Sequence, residues 1–165
     1  MGDLVRMKAF AKRPLTDGER AALSPGLADA LTNAEAWPTI HARPSIPALL
    51  VGVWRRRLPV MVLGRRIFWP GAAEDFSFDP LRMSVLQHEL QHVLEFADGT
   101  LTRLSYLSRP RNWIYPYRLA SGAAWDDFGA EQRAMIVQHL WLAERGLLKS
   151  PASADELRAL IPWAR

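Results

Sequence analysis

The sequence predicts an α+β domain in which a small antiparallel sheet packs on a central helix, with a second helix behind it. Three observations point there. Apolar residues recur with helical spacing between Asp79-Pro80 and Asp98-Gly99. Stretches rich in Val, Leu, Ile and aromatics precede that helix and read as two or three short strands. A further helical pattern begins at Asp126 or Asp127 and runs to Gly146.

The elements follow in order. Thr16-Asp17-Gly18-Glu19 fits a capping box, with threonine accepting from the backbone and glutamate reaching back, so a first helix starts there. Ser24-Pro25 opens a second short one, because proline is preset for the first helical position. Across residues 30–47, Pro38, Pro44 and Pro47 argue for irregular, extended chain. Residues 48–54, 58–63 and 66–69 are the strand candidates, turned at residues 55–57 and near Gly64-Arg65. Residues 70–78 form a loop. The central helix has Asp79 as N-cap, Pro80 at its first position and Asp98-Gly99 as its stop. Leu81, Val85, Leu86, Leu90, Val93, Leu94 and Phe96 give it a wide apolar surface, so it is expected to be buried. Pro110 and Pro116 exclude a long helix across residues 100–124, where Arg103, Arg109, Arg111 and Arg118 lie among Tyr106, Trp113, Tyr115 and Tyr117. The third helix runs through Glu131, Ala134, Met135, Val137 and Leu140. Ser153-Ala154-Asp155-Glu156 caps a short terminal helix before Pro162. No internal repeat is present, so residues 1–165 read as one domain with 1–12 and 150–165 at its periphery.

Composition excludes several classes. A chain of 165 residues, 49% hydrophobic and with seven tryptophans, can bury a real core and is not a disordered protein. It has no cysteine, which removes disulfides and thiolate metal sites, so a bound metal must be held by histidine and carboxylate. No uninterrupted apolar run is long enough to span a bilayer. Residues 1–14 mix charges with single apolar residues, so no classical signal peptide is expected, and location is expected to be cytoplasmic or exported without one. Net charge is +4, and Trp54-Arg55-Arg56-Arg57 is the densest basic run. It can touch phosphates, but it interrupts two strand-like runs and reads as a solvated hairpin turn. A nucleic-acid partner is therefore disfavoured.

His88-Glu89-Leu90-Gln91-His92 is the motif with chemistry. Two histidines four apart stand one above the other on a helix, with Cβ atoms about 5–6 Å apart. Both imidazoles can then reach one Zn²⁺. Glu89 falls beside that face and can take a proton from activated water, its role in metalloproteases with this HExxH spacing. Polar groups on a buried helix need partners, and a metal would satisfy all three at once. The alternative is a histidine pair bonded to backbone or water.

A third ligand must be a carboxylate. Glu95 shares the face but lies roughly 10 Å along the axis from His88, as an outer or surface group. Asp98 has the six-residue spacing of a metzincin third ligand, yet Glu95 stands where that pattern wants its turning glycine. Glu131 is preferred, since a second helix can aim a side chain at the metal from another direction; the alternative for it is a solvated carboxylate near a helix N-terminus. His41 and His139 read as structural or packing residues. Tyr115 and Tyr117 can polarise a carbonyl or stabilise an oxyanion, with aromatic packing as the alternative.

Several pieces together resemble a known group. They are Arg13-Pro14-Leu15-Thr16 with Glu19, Arg66-Ile67-Phe68-Trp69, the HExxH helix through Val93, Tyr115-Pro116-Tyr117-Arg118-Leu119, and Phe128-Gly129-Ala130-Glu131-Gln132-Arg133-Ala134-Met135-Ile136-Val137. The pattern resembles the metallopeptidase-like core domain found with bacterial contractile injection systems, and the Vgr-related proteins associated by name with type VI secretion. It covers residues 13–140, and only HExxH is specific by itself. The resemblance implies a zincin-like fold and a zinc cofactor. It carries over His88, Glu89 and His92 directly, and Glu131 through Glu131-Gln132-Arg133-Ala134, which resembles the ExxA or ExxD element of gluzincin-type peptidases. The chain departs in having Arg133 where a second glutamine is expected. Implied partners are a peptide or protein substrate and secretion-apparatus components, and residues 66–69 become the candidate strand for pairing with an extended peptide. The expected activity is zinc-dependent hydrolysis of peptide bonds, with His88, His92 and Glu131 as ligands and Glu89 as general base. The other class is a non-catalytic, zinc-stabilised accessory or cargo-binding module, against which an intact Glu89 argues.

Overall fold

Four strands of three residues each make the sheet: β1 (Lys12–Pro14), β2 (Thr39–His41), β3 (Met61–Leu63) and β4 (Arg66–Phe68). A computed structural model describes residues 5–49, 58–147 and 152–164. The strand order is β1-β2-β4-β3. β1 runs antiparallel to β2 and β3 antiparallel to β4, but β2 and β4 are parallel, with Ile40 opposite Ile67. The sheet is therefore mixed, which corrects the antiparallel expectation. The cause is β2, a strand inside the proline-rich stretch, which inserts beside β4 in the same direction. Its presence also makes β4 an inner strand, hydrogen-bonded on both sides. Residues 66–69 thus have no open edge for an extended peptide; among the described residues, the free edges belong to β1 and β3.

β3 and β4 form the expected hairpin, closed at Gly64, whose φ of +62 suits the left-handed turn. The expected strand over 48–54 is corrected in part, since residues 46–49 are helical. Ser45 begins that turn, its hydroxyl accepting from the Ala48 amide at 3.2 Å. The rest of the stretch and the basic run 54–57 lie outside the described residues.

Four helices start where the sequence predicts. Thr16 and Glu19 close the capping box of α1 (Asp17–Ala21). Glu19 is fully buried, paired with Arg13 at 2.6 Å and accepting from the Phe76 amide at 2.9 Å. α2 (Pro25–Asn33) buries Leu27 and Leu31. The central helix, α3 (Pro80–Ala97), has the Asp79 carboxylate on the Leu81 and Arg82 amides. A six-residue helix, α4 (Arg103–Ser108), buries none of its residues. α5 (Ala130–Glu144) starts four residues later than the expected Asp126, after a 3₁₀ turn at Trp125–Asp127. Gly129 is its N-cap, where a Cβ would collide with the Arg111 carbonyl. α6 (Ala154–Leu160) has the Ser153–Glu156 capping box.

α3 packs along α5 and, on another side, against β3. Leu86, Leu90 and Val93 of α3 meet Ile136, Val137 and Leu140 of α5 in the core, with Ile40 and Ile67 of the sheet in the same cluster. Within 150–165, expected at the periphery, side chains reach the core. Leu157 and Ile161 are fully buried, and the Trp163 indole donates to Gln91 Oε1 of α3 at 3.0 Å.

Candidate metal centre

The wide apolar surface of α3 forces the HExxH residues inward with it, so His88, Glu89 and His92 are only 6–7% exposed. α5 crosses behind and brings Glu131 from its first turn to the same place. Glu131 Oε2 lies 3.0 Å from His88 Nε2 and 3.4 Å from His92 Nε2. Each of the three residues offers one ligand atom, and these atoms lie within 4.8 Å of one another. Among the described residues this is the one such histidine–carboxylate group. The three atoms converge on a single point from two helices, the arrangement a metal ion requires.

The surroundings tune these groups strongly. Burial pulls the His92 imidazole down, but hydrogen bonds and charge from Glu131 and Glu95 outweigh it and hold it up at about 10. Burial pushes the Glu131 carboxyl up, yet its contacts with both histidines hold it well below the ordinary carboxylate range. Glu89 goes the other way. Burial raises its carboxyl, only partly offset by the histidines, and nearby Glu131 adds to the rise. Among the described residues no hydrogen bond or ion pair engages the Glu89 carboxylate. It is a buried acid beside the cluster with a raised proton affinity.

A second layer of contacts holds the cluster in place. Tyr106 of α4 donates to Glu131 Oε1 at 2.6 Å, leaving Oε2 for the histidines. Burial and the Glu131 charge raise the Tyr106 phenol, so it stays a donor. Glu95 Oε2 faces His92 Nδ1 at 3.7 Å, and neither atom has another hydrogen-bond partner. Glu95 Oε1 accepts from Arg133 Nε at 2.7 Å and from Gln91 Nε2 at 3.1 Å. A carboxylate at Nδ1 favours the tautomer that turns Nε2, as acceptor, toward a metal.

Glu131 joins the histidines as expected, and Glu95 is an outer group. Asp98 does not reach the cluster: it caps the end of α3 and accepts from the Thr100 amide at 2.8 Å. The Tyr115 ring stacks beside His88, with centroids 6.1 Å apart and planes 11° off parallel. The Tyr117 hydroxyl is engaged by His139 Nδ1 at 2.8 Å. His41 stacks on Phe68 in the sheet. Tyr106 and Arg133 were missed. Arg133 did carry a signal, since a cation in an apolar helix with no acid four residues away needs a carboxylate from elsewhere. Tyr106 carried none.

No family model, curated protein or solved structure matches this chain.

Proposed function

We propose that His88, His92 and Glu131 hold a zinc ion and that the protein hydrolyses peptide bonds there, with Glu89 as the general base. One observation supports this above the others: a His₂Glu donor set converges while a second carboxylate, Glu89, stays beside it unengaged. Donors around a tetrahedral zinc at about 2.0–2.1 Å stand about 3.3 Å from one another. The 3.0 and 3.4 Å separations from Glu131 to the two histidines fit that spacing. Bound at these donors, zinc supplies a Lewis acid that polarises a carbonyl and acidifies water. Glu89 then accepts the proton from attacking water and returns it to the leaving amine, a role its raised proton affinity suits. Tyr115 is the tyrosine assigned to a developing oxyanion in this reading, supported by its ring stacking beside His88. Tyr117, the other tyrosine considered for that role, is held by His139. An association with a contractile injection apparatus, as enzyme or as zinc-stabilised accessory module, is supported by the motif resemblance alone.

Two substitutions test the site as drawn. Glu131→Gln is expected to weaken zinc binding by more than the about 10–100-fold typical of changes outside the ligand set, while Asp98→Asn leaves affinity unchanged. A chelator-competition titration reads both. Equal effects, or a larger one at Asp98, would remove Glu131 from the ligand set. Glu95→Gln is expected to fall in the about 10–100-fold range itself, because His92 loses the carboxylate behind Nδ1. An unchanged zinc affinity there would show that Glu95 serves Arg133 alone. Cleavage of a peptide library by the zinc-loaded protein tests the activity.

A further inference from the structure

The geometry points to residues 103–118 as the docking face for an acidic, leucine-rich polypeptide, which that face delivers to the metal cluster. This inference rests on the hydrolytic reading for the fate of the bound chain, though not for the binding itself.

The segment is unusual in what it exposes. On α4, Tyr106 turns inward to Glu131, so Leu104 and Leu107, three residues apart on the opposite side, face solvent at 76% and 67% exposure. The next turn folds back on α4: the Trp113 indole donates to the Tyr106 carbonyl at 2.7 Å, and Asn112 Nδ2 donates to the Ser105 carbonyl at 2.9 Å. This holds the turn carrying Trp113 and Ile114, 50% and 49% exposed, against the C-terminal end of α4. A cluster of large apolar side chains left in water on one short stretch marks a surface that another molecule covers. Tyr115 continues the surface and lies against His88, so the apolar strip leads to the donor cluster.

The charge says what kind of molecule. From Gly99 to Trp125 the sequence holds four arginines and neither Asp nor Glu. Arg103, Arg109 and Arg118 are exposed, and among the described residues none has a carboxylate within ion-pair distance. An uncompensated cationic rim around an apolar strip complements a chain with carboxylates flanking aliphatic side chains. Aliphatic leucines and isoleucine have nothing to gain from a phosphate backbone, which argues against nucleic acid. A six-residue helix presenting two leucines lacks the extended apolar face of a membrane-surface helix. An extended polypeptide fits both the chemistry and the direction toward Glu89.

Equilibrium binding tests this on the full-length Glu89→Gln protein, where turnover does not enter. The probes are labelled peptides of equal length and leucine content, one with Glu and one with Lys at the remaining positions. Phosphatidylserine vesicles and single-stranded DNA are the competitors. The Glu peptide is expected to bind at least about tenfold tighter than the Lys peptide, and more weakly as salt rises. Arg103→Glu with Arg109→Glu should weaken it about tenfold, and Leu104→Ser with Leu107→Ser should weaken it independently. Zinc content and melting temperature should stay at their starting values in both variants, because the four substituted side chains are exposed and none touches the cluster. Equal binding of the two peptides, an unaffected charge-reversal variant, or displacement of the peptide by vesicles or DNA would each overturn the assignment. Wild type that binds the Glu peptide but cleaves nothing would leave this face standing and remove the hydrolytic reading. Cleavage indifferent to charge reversal would do the opposite.

Discussion

His88→Ala and His92→Ala are each expected to abolish stoichiometric zinc binding and to lower the melting temperature of zinc-loaded protein. The stabilisation follows from mass action. A metal that binds the folded chain and not the unfolded one stabilises it by about 2.7 kcal/mol when present at a hundredfold excess over its Kd. For a chain of 165 residues that corresponds to about 5–10 °C. Each imidazole also partners Glu131, so metal-free variants will melt lower than metal-free wild type, and the comparison must be made both with and without zinc. The diagnostic quantity is the zinc-induced rise, measured by differential scanning calorimetry alongside elemental analysis. Wild type should show it and both variants should lose it. Full zinc content in either variant would mean that the ion sits elsewhere, and the site built on α3 and α5 would be wrong.

What was legible in the sequence is local. The HExxH spacing fixes its geometry within one helical turn, and the caps at Thr16, Asp79 and Ser153 act over two or three residues. Glu131 was readable because it opens a helix, even though that helix starts at Ala130 and not at Asp126. The sheet was only half readable. β1 and β2 are three residues long, too short to display a period of two, and β2 exists because Ile40 pairs with Arg13 on one side and Ile67 on the other. The supporting contacts are long-range as well. Tyr106 meets Glu131 across 25 residues and Arg133 meets Glu95 across 38. The buried tail had its signal in plain view, since Leu157 and Ile161 are four apart and share one face.

Glu89→Gln separates an enzyme from a metal-stabilised module, and it is expected to retain zinc and fold while losing hydrolysis by about 10²–10⁴-fold, the usual worth of a positioned general base. The fold should survive, because no hydrogen bond or ion pair among the described residues depends on that carboxylate, and an amide of the same shape removes a buried acid whose charge burial already disfavours. The ligand atoms belong to His88, His92 and Glu131, so the donor set stays intact. Removing the unengaged carboxylate beside the cluster leaves water without an acceptor for its proton. Wild type and variant, matched for zinc content and melting temperature, are compared on peptides that wild type cleaves. Equal rates would show that Glu89 is not the base. Wild type that holds zinc in the cluster and cleaves no peptide across a broad library would instead favour the accessory module, in which His88, His92 and Glu131 tie α3 to α5 and the metal serves the fold.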